Sequence, residues 1–393
     1  MSAANGFIVT TDASALPRID PFHAITLSVL ARRLEADGAS IVHMEFGQPS
    51  TGAPSAAIAA AHRALDSDPG SYWESQALKL RLSLHYQEVY GVDLPADRLL
   101  LTCGASPALV LALSARFAAG DRVALARPGY VAYRNTLRAL HLEPVEIPCG
   151  PEVGYQLSAE ALGRIEGPLA GVIIASPANP TGSILPPAEM EAIVRTCEAR
   201  GLGLVSDEIY HGLAYGERAR SVLEFTDQAF VINSFSKYFS MVGWRLGWLA
   251  APPSHLGRAR ALIGNLFLTA PSLSQHAALA AFDSREELEE NVDVYRRNRS
   301  LLLDALPDLG LASIAPPDGA FYIYADVGHL THDSLAFCEK ILRETGVALA
   351  PGVDFDPVDG WRFVRMSFAV STDLVQEGLR RLSPWLKAQP RLG

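Results

Sequence analysis

Ser234-Phe235-Ser236-Lys237 stands eight residues before Arg245 near the middle of the chain. A lysine amine set among hydroxyls and a guanidinium suits attachment to an aldehyde that carries a phosphate. The amine forms a Schiff base, and the hydroxyls and arginine take the dianion. Thirty residues before Lys237, Ser206-Asp207-Glu208-Ile209-Tyr210 follows the apolar run 202–205. An acid at the end of a buried strand can keep a ring nitrogen protonated, which makes the ring an electron sink. Either feature alone is weak, since most lysines are solvated surface residues. Lys237, however, stands among Phe235, Tyr238 and Phe239. Burial there disfavours the ammonium and lowers its pKa.

Further segments fall where strand-like runs give way to loops. Gly104-Ala105-Ser106 follows 99–101 and opens the helical stretch 107–118. Backbone N–H groups and a hydroxyl at the positive end of a helix dipole can cradle a phosphate; an ordinary turn capped by Ser106 would use the same residues. Pro128-Gly129-Tyr130 follows 123–126 and offers a ring either for stacking on a planar heterocycle or for the core. Ala178-Asn179-Pro180-Thr181-Gly182 follows 171–175. Its dipeptides are turn chemistry, and the Asn179 amide can donate to a phenolic oxygen. Arg365 alternates with apolar residues over 363–368; an arginine on a half-buried strand wants a carboxylate, from the protein or from a substrate. In this order the parts suit a pyridoxal phosphate site.

Holding such loops together takes a sheet. Strand-like runs at 99–101, 123–126, 145–147, 171–175, 202–206, 230–233 and 246–251 alternate with helix-like runs at 107–118, 130–140 and 187–200. That rhythm predicts an α/β fold with a largely parallel sheet buried on both faces. Beyond 285 it changes to a helix over 285–306, a strand over 320–325, a helix over 335–345 and a strand over 363–369, a smaller α+β unit. The helical stretch 22–36 is expected to pack against it. The expected division is an N-terminal arm and helix over 1–47, a large domain over 48–284 and a small domain over 285–393. A chain of 393 residues with 49% hydrophobic content has ample material for two cores. Its net charge of −10 argues against a nucleic-acid groove or an anionic membrane surface. Four scattered cysteines, without a CxxC or a histidine at zinc spacing, predict reduced thiols and no metal site. With no signal peptide and no membrane span legible, the expected location is cytoplasmic.

The chain resembles the class I/II, fold-type I pyridoxal phosphate aminotransferases from about residue 21 to its end. SDEIY at 206–210, NPTG at 179–182, SFSK at 234–237 with GWRLG at 243–247, and RMSFA at 365–369 carry the resemblance. FGQP at 46–49, PDGAFY at 317–322 and PG at 351–352 support it more loosely. It implies a large domain with a mostly parallel mixed sheet covered by helices, plus a smaller α+β domain. It also implies a transaminase that binds pyridoxal 5'-phosphate and moves an amino group between an L-amino acid and a 2-oxo acid. Lys237 would form the Schiff base and then act as the base, Asp207 would pair with the pyridine N–H, and Tyr210 and Asn179 would meet the ring oxygen. Tyr130 would stack on the ring. Gly104, Ala105, Ser106, Ser234, Ser236 and Arg245 would surround the phosphate, Ala105 through its backbone alone. Arg365 would hold the α-carboxylate, with Gly47 and Asn179 nearby. Tyr72 matches the family tyrosine that reaches the cofactor phosphate across a subunit boundary, implying a homodimer with shared active sites.

The chain also departs from the family. Trp73-Glu74-Ser75 replaces a stretch rich in small residues, so Trp73 is expected to line the substrate pocket. Residues 265–269 lack the arginine of aspartate-specific relatives, which puts a dicarboxylate preference in doubt. Phe22, Ile25, Trp73, Leu266 and Phe267 hint at a neutral or aromatic side-chain pocket, or equally at core and interface packing. A carbon–sulfur β-lyase on the same scaffold would use every residue named. A non-catalytic regulator would need an output module, and no helix-turn-helix is appended. A nicotinamide dehydrogenase is disfavoured because Gly201-Leu202-Gly203 precedes its strand and lacks the third glycine.

Overall fold

The structure is a computed structural model describing residues 16–68 and 70–392, so the first fifteen residues of the expected arm lie outside it. Its strands are β1 (Val42–His43), β2 (Leu99–Thr102), β3 (Arg122–Arg127), β4 (Glu143–Pro148), β5 (Gly171–Ala175), β6 (Gly203–Asp207), β7 (Ala229–Ser234), β8 (Gly247–Ala250), β9 (Tyr322–Asp326), β10 (Val347–Ala348), β11 (Ala350–Pro351) and β12 (Phe363–Ser367). Its helices are α1 (His23–Ala36), α2 (Ser55–Ser67), α3 (Gln76–Tyr90), α4 (Ala105–Arg116), α5 (Val131–Ala139), α6 (Ala159–Gly163), α7 (Pro187–Arg200), α8 (Leu256–Leu266), α9 (Ser272–Ala281), α10 (Arg285–Ala305), α11 (Ser334–Thr345) and α12 (Thr372–Ala388).

Seven strands form one sheet in the order β2-β8-β7-β6-β5-β3-β4. Pairing is parallel throughout except at β8, which runs antiparallel to β2 and β7. Along β6, Leu204 enters a core with Val172 and Val231 on one face, and Val205 joins Ile173 and Ile232 on the other. This is the period-two alternation of strands covered on both sides. Helices α2, α3, α7 and α9 supply the first core, and α4, α5 and α8 the second.

Since β2, β3, β5, β6 and β7 all point the same way, their C-terminal ends share one edge, and β8 starts from it. Segments 103–106, 127–130, 176–182, 207–210, 234–237 and 243–247 are the loops of that edge, where open α/β sheets bind their ligands. Against it stands a three-stranded antiparallel sheet, β11-β12-β9. Helix α1 packs on β10, β11 and α11, and its side of the molecule brings Arg365 on β12 towards the loops.

Candidate active site

The loops and the small sheet enclose a cavity of about 270 Å³. Lys237 follows β7 directly, and its Nζ donates to the Gly47 carbonyl and lies 5.7 Å from the Tyr210 ring centre. Its pKa is lowered to about 8, first because burial strips water from the ammonium, then because Arg365 and Arg245 repel it; Asp207 offsets this in part. Asp207 ends β6 and is buried. Tyr133 Oη donates to its Oδ2 at 2.7 Å and the Ile209 N–H to its Oδ1 at 3.1 Å. Burial nevertheless raises its pKa above the ordinary carboxylate value, since it outweighs these donors and Lys237.

At the other end, Gly104 caps α4 with φ 101°, a conformation only glycine adopts without strain. A Cβ there would meet Arg245 Nη2 at 2.6 Å. Ala105 and Ser106 open the helix and line the cavity with Arg245 and Ser236. Ser234 does not line it. Its Oγ is buried against the Leu246 carbonyl at 2.9 Å and Ser236 Oγ at 2.8 Å, and accepts the Ser236 N–H at 3.0 Å. Ser236 thus faces the cavity, and the Ser234 hydroxyl holds the turn that presents it. The cause is the turn after β7, where the chain folds back and places position 234 beneath position 236.

Arg365 forms the third corner. It is 1% exposed, donates to Asn179 Oδ1 at 2.9 Å and to the Glu45 carbonyl, and lies over the rings of Tyr322 at 4.5 Å and Phe355 at 4.7 Å. Its Nε is buried with no hydrogen-bond partner among the described residues. A buried guanidinium whose hydrogen-bond acceptors are all neutral calls for an anion. Gly47 is needed beside it, because a Cβ would run into the Tyr322 hydroxyl. That hydroxyl also pairs with Tyr210 Oη at 2.6 Å.

Three cations, Lys237, Arg245 and Arg365, thus face one carboxylate, Asp207, around the cavity. The imbalance suits an anionic ligand. Tyr130 and Asn179 line the same space. Tyr72 and Trp73 do not. Tyr72 is 82% exposed, and Trp73 packs on His276 with ring centres 5.1 Å apart, so Trp73 does not line this chain's own cavity as expected. Of the apolar residues singled out from sequence, Phe22 alone lines it, whereas Ile25 and Leu266 are exposed. Tyr133 and Tyr322 were missed. Their signals were present, one a turn of helix after Tyr130 and the other inside PDGAFY.

Residues 40–382 match the family model described as aminotransferase class I and II. The chain belongs to that family. This aminotransferase is 45% identical to the valine–pyruvate aminotransferase of Mycobacterium tuberculosis, over 96% of this chain and all of the relative. It is 31% identical to the (5-formylfuran-3-yl)methyl phosphate transaminase of Methanocaldococcus jannaschii, over 94% and 98%. Among solved structures, an aminotransferase from Mycobacterium tuberculosis superposes with a TM-score of 0.92 at 45% identity, covering 94% of this chain and 98% of the other. An aspartate aminotransferase from Thermus thermophilus with maleate superposes at 0.88 with 28% identity, covering 93% and 97%. The chain is an aminotransferase that moves an amino group between an amino acid and a 2-oxo acid, on the fold-type I architecture. No helix among the described residues is long and apolar enough to cross a membrane.

Proposed function

We propose that this aminotransferase holds pyridoxal 5'-phosphate in the cavity and works on neutral amino acids such as valine, with a 2-oxo acid such as pyruvate as acceptor. One observation carries the proposal: a partly buried lysine with a depressed pKa lies between a tyrosine-held carboxylate and two separate arginines. The residues fit the group. Arg245 with Ser106, Ser236 and the first N–H groups of α4 would hold the phosphate, Asp207 the ring nitrogen, Tyr210 and Asn179 the ring oxygen, and Tyr130 the ring face. When bound, the cofactor supplies an electron sink for the pair left at the substrate Cα.

The chain's own residues do the rest. Arg365, which lines the cavity, binds the α-carboxylate and so fixes where the Cα proton points. Lys237 takes that proton, because a pKa of about 8 leaves a usable fraction of neutral amine near neutrality. Asp207, held by the Tyr133 hydroxyl, would take the ring N–H. Among the described residues lining the cavity, no cation beyond Lys237, Arg245 and Arg365 is left for a second carboxylate. That supports a neutral substrate, as does the name of the valine–pyruvate relative.

The assembly proposed is a homodimer with shared sites. An open groove beside Arg245, lined by Ile58, Leu65, Trp244 and Leu273, adjoins the cavity, and exposed Tyr72 has the reach to serve a partner's site. All four cysteines are free, in keeping with the cytoplasmic location proposed. The test is a half-reaction screen: cofactor-loaded enzyme is mixed with single amino acids while conversion to the amine form of the cofactor is followed. Valine and alanine should convert it and aspartate should not. Pyruvate release from a β-substituted amino acid, without conversion by any amino acid, would replace the transaminase with a β-lyase.

A further inference from the structure

Among the described residues ahead of α1, Phe22 lines the cavity. Its ring stands edge-on to Tyr130, with centres 6.3 Å apart. On its other side it packs against the cluster containing Phe355, the ring over which the Arg365 guanidinium lies. With its carboxylate taken by Arg365 and its reacting carbon facing Lys237, a substrate brings its side chain to the part of the cavity that Phe22 and Tyr130 line, with buried Phe355 behind.

The position of Phe22 is set by something other than its own helix. It occupies the N-cap of α1 and offers no side-chain acceptor to the first turn. The acceptor comes from Asp354, which is 1% exposed. Its Oδ1 takes the His23 N–H and its Oδ2 the Ala24 N–H, both at 2.8 Å. A buried carboxylate meeting two first-turn amides satisfies donors a helix leaves open and suits the helix dipole. The same short segment reaches the cavity's other walls. The Asp354 carbonyl accepts Arg134 Nη2 at 3.1 Å, and the Phe355 carbonyl accepts the Gly129 N–H at 3.0 Å, next to Tyr130. Residues 354–355 therefore tie the start of α1, helix α5 and the Tyr130 turn into one joint.

Resting on the aminotransferase reading above, we propose that Phe22 is a specificity-determining residue that limits the length of the substrate side chain, and that Asp354 is the positioning residue that holds it there. An aliphatic side chain branched near Cα fills the space left by the ring, and a longer one collides with it.

The test uses cofactor-loaded enzyme and two readouts. In the half-reaction, Phe22→Ala should raise the kcat/KM ratio of phenylalanine over valine by about tenfold or more, since a single methylene in an apolar pocket is already worth about 10–200-fold. Phe22→Leu, a gentler change, should move it the same way by less. In calorimetry with acids that lack an amino group, Phe22→Ala should tighten hydrocinnamate relative to isovalerate. Asp354→Asn should relax selectivity in the same direction and speed amide exchange at His23 and Ala24, whereas Phe22→Leu should leave that exchange slow. A selectivity ratio unmoved by both Phe22 variants overturns the role of Phe22. Slow exchange and intact selectivity in Asp354→Asn overturn the joint. Should the wild type convert no amino acid, the transaminase reading fails, and the acid-binding series still decides the role of Phe22.

Discussion

Lys237 and Asp207 work in opposite directions on the same physical term. Burial strips both of water, which leaves more of the lysine as neutral amine near neutrality and makes the carboxylate hold its proton to a higher pH. For the cofactor-free protein, the folded lysine loses its proton near pH 8 and the unfolded one only near its ordinary value of 10.5. Between these values the unfolded chain binds more protons, so stability rises with pH across that window. Lys237→Met removes the effect: urea midpoints of wild type should climb relative to the variant between pH 8 and 10, and parallel curves would count against the depressed pKa. In the loaded enzyme Lys237→Ala should cut turnover by roughly three orders of magnitude or more and remove the visible absorbance of the lysine-bound cofactor. Tyr133 acts on the other partner. It gives Asp207 a 2.7 Å bond, and a hydrogen bond to a charged acceptor is worth about 1.5–3 kcal/mol. Tyr133→Phe should push the Asp207 pKa further up, so the carboxylate is lost at a higher pH as the solution is acidified. The acid limb of kcat/KM should shift to higher pH, with cofactor affinity falling about tenfold; an unmoved limb would show that Tyr133 only packs.

Helix α4 joins folding to ligand binding through its first turn. Gly104 holds φ 101° at its N-cap with no room for a Cβ beside Arg245. Gly104→Ala should cost on the order of 1–3 kcal/mol in strain and displace the guanidinium. Inorganic phosphate and the cofactor should then bind at least about tenfold more weakly, while Gly120→Ala, also at positive φ but with open space around it, should lower the melting temperature alone. Most of the loops that line the cavity were legible in the sequence because their letters are contiguous and each follows a mostly apolar strand. The start of α4 was placed two residues late because Pro107, which sits comfortably in a first turn, reads as the opening of the helix. Other elements gave weaker signals. In α3 the exposed Leu80 and Leu84 and the buried Lys79 blur the apolar stripe, and α2 buries only alanines. Strands β1, β10 and β11 have two residues each, too few for any alternation. The site residues that escaped, Tyr133 and Tyr322, touch their partners Asp207 and Tyr210 across 74 and 112 positions, a proximity that only the fold creates. The same holds for the bonding of the Ser234 hydroxyl beneath Ser236, which depends on one turn.

Across the molecule, the two sheets have separate tasks: the seven-stranded one gathers Ser106, Asp207, Lys237 and Arg245 at a single edge, and the three-stranded one brings Arg365 to face them. That division places the cavity where the two units meet, with the joint at 354–355 and the Glu45–Gly47 segment crossing between them. One side of this cavity opens beside Arg245 onto the groove that α2 and the 271–274 segment line, and the exposed Leu65, Tyr72 and Leu268 belong to the neighbouring surface. A two-fold dimer through that groove would bury them and let each Tyr72 complete the other subunit's phosphate site. The consequence can be read by complementation. Lys237→Ala keeps its Tyr72, and Tyr72→Ala keeps its Lys237, so neither homodimer has a complete site. Unfolded and refolded together in equal amounts, the two chains form hybrids in half of the dimers. Each hybrid carries one site with both residues and one with neither. The mixture should therefore recover about a quarter of wild-type activity if pairing is random, whereas separately refolded controls mixed afterwards should recover none until their subunits exchange. Activity in the mixture no greater than that of the Tyr72→Ala homodimer alone would mean that each chain completes its own site, and that the 82% exposed tyrosine serves no partner.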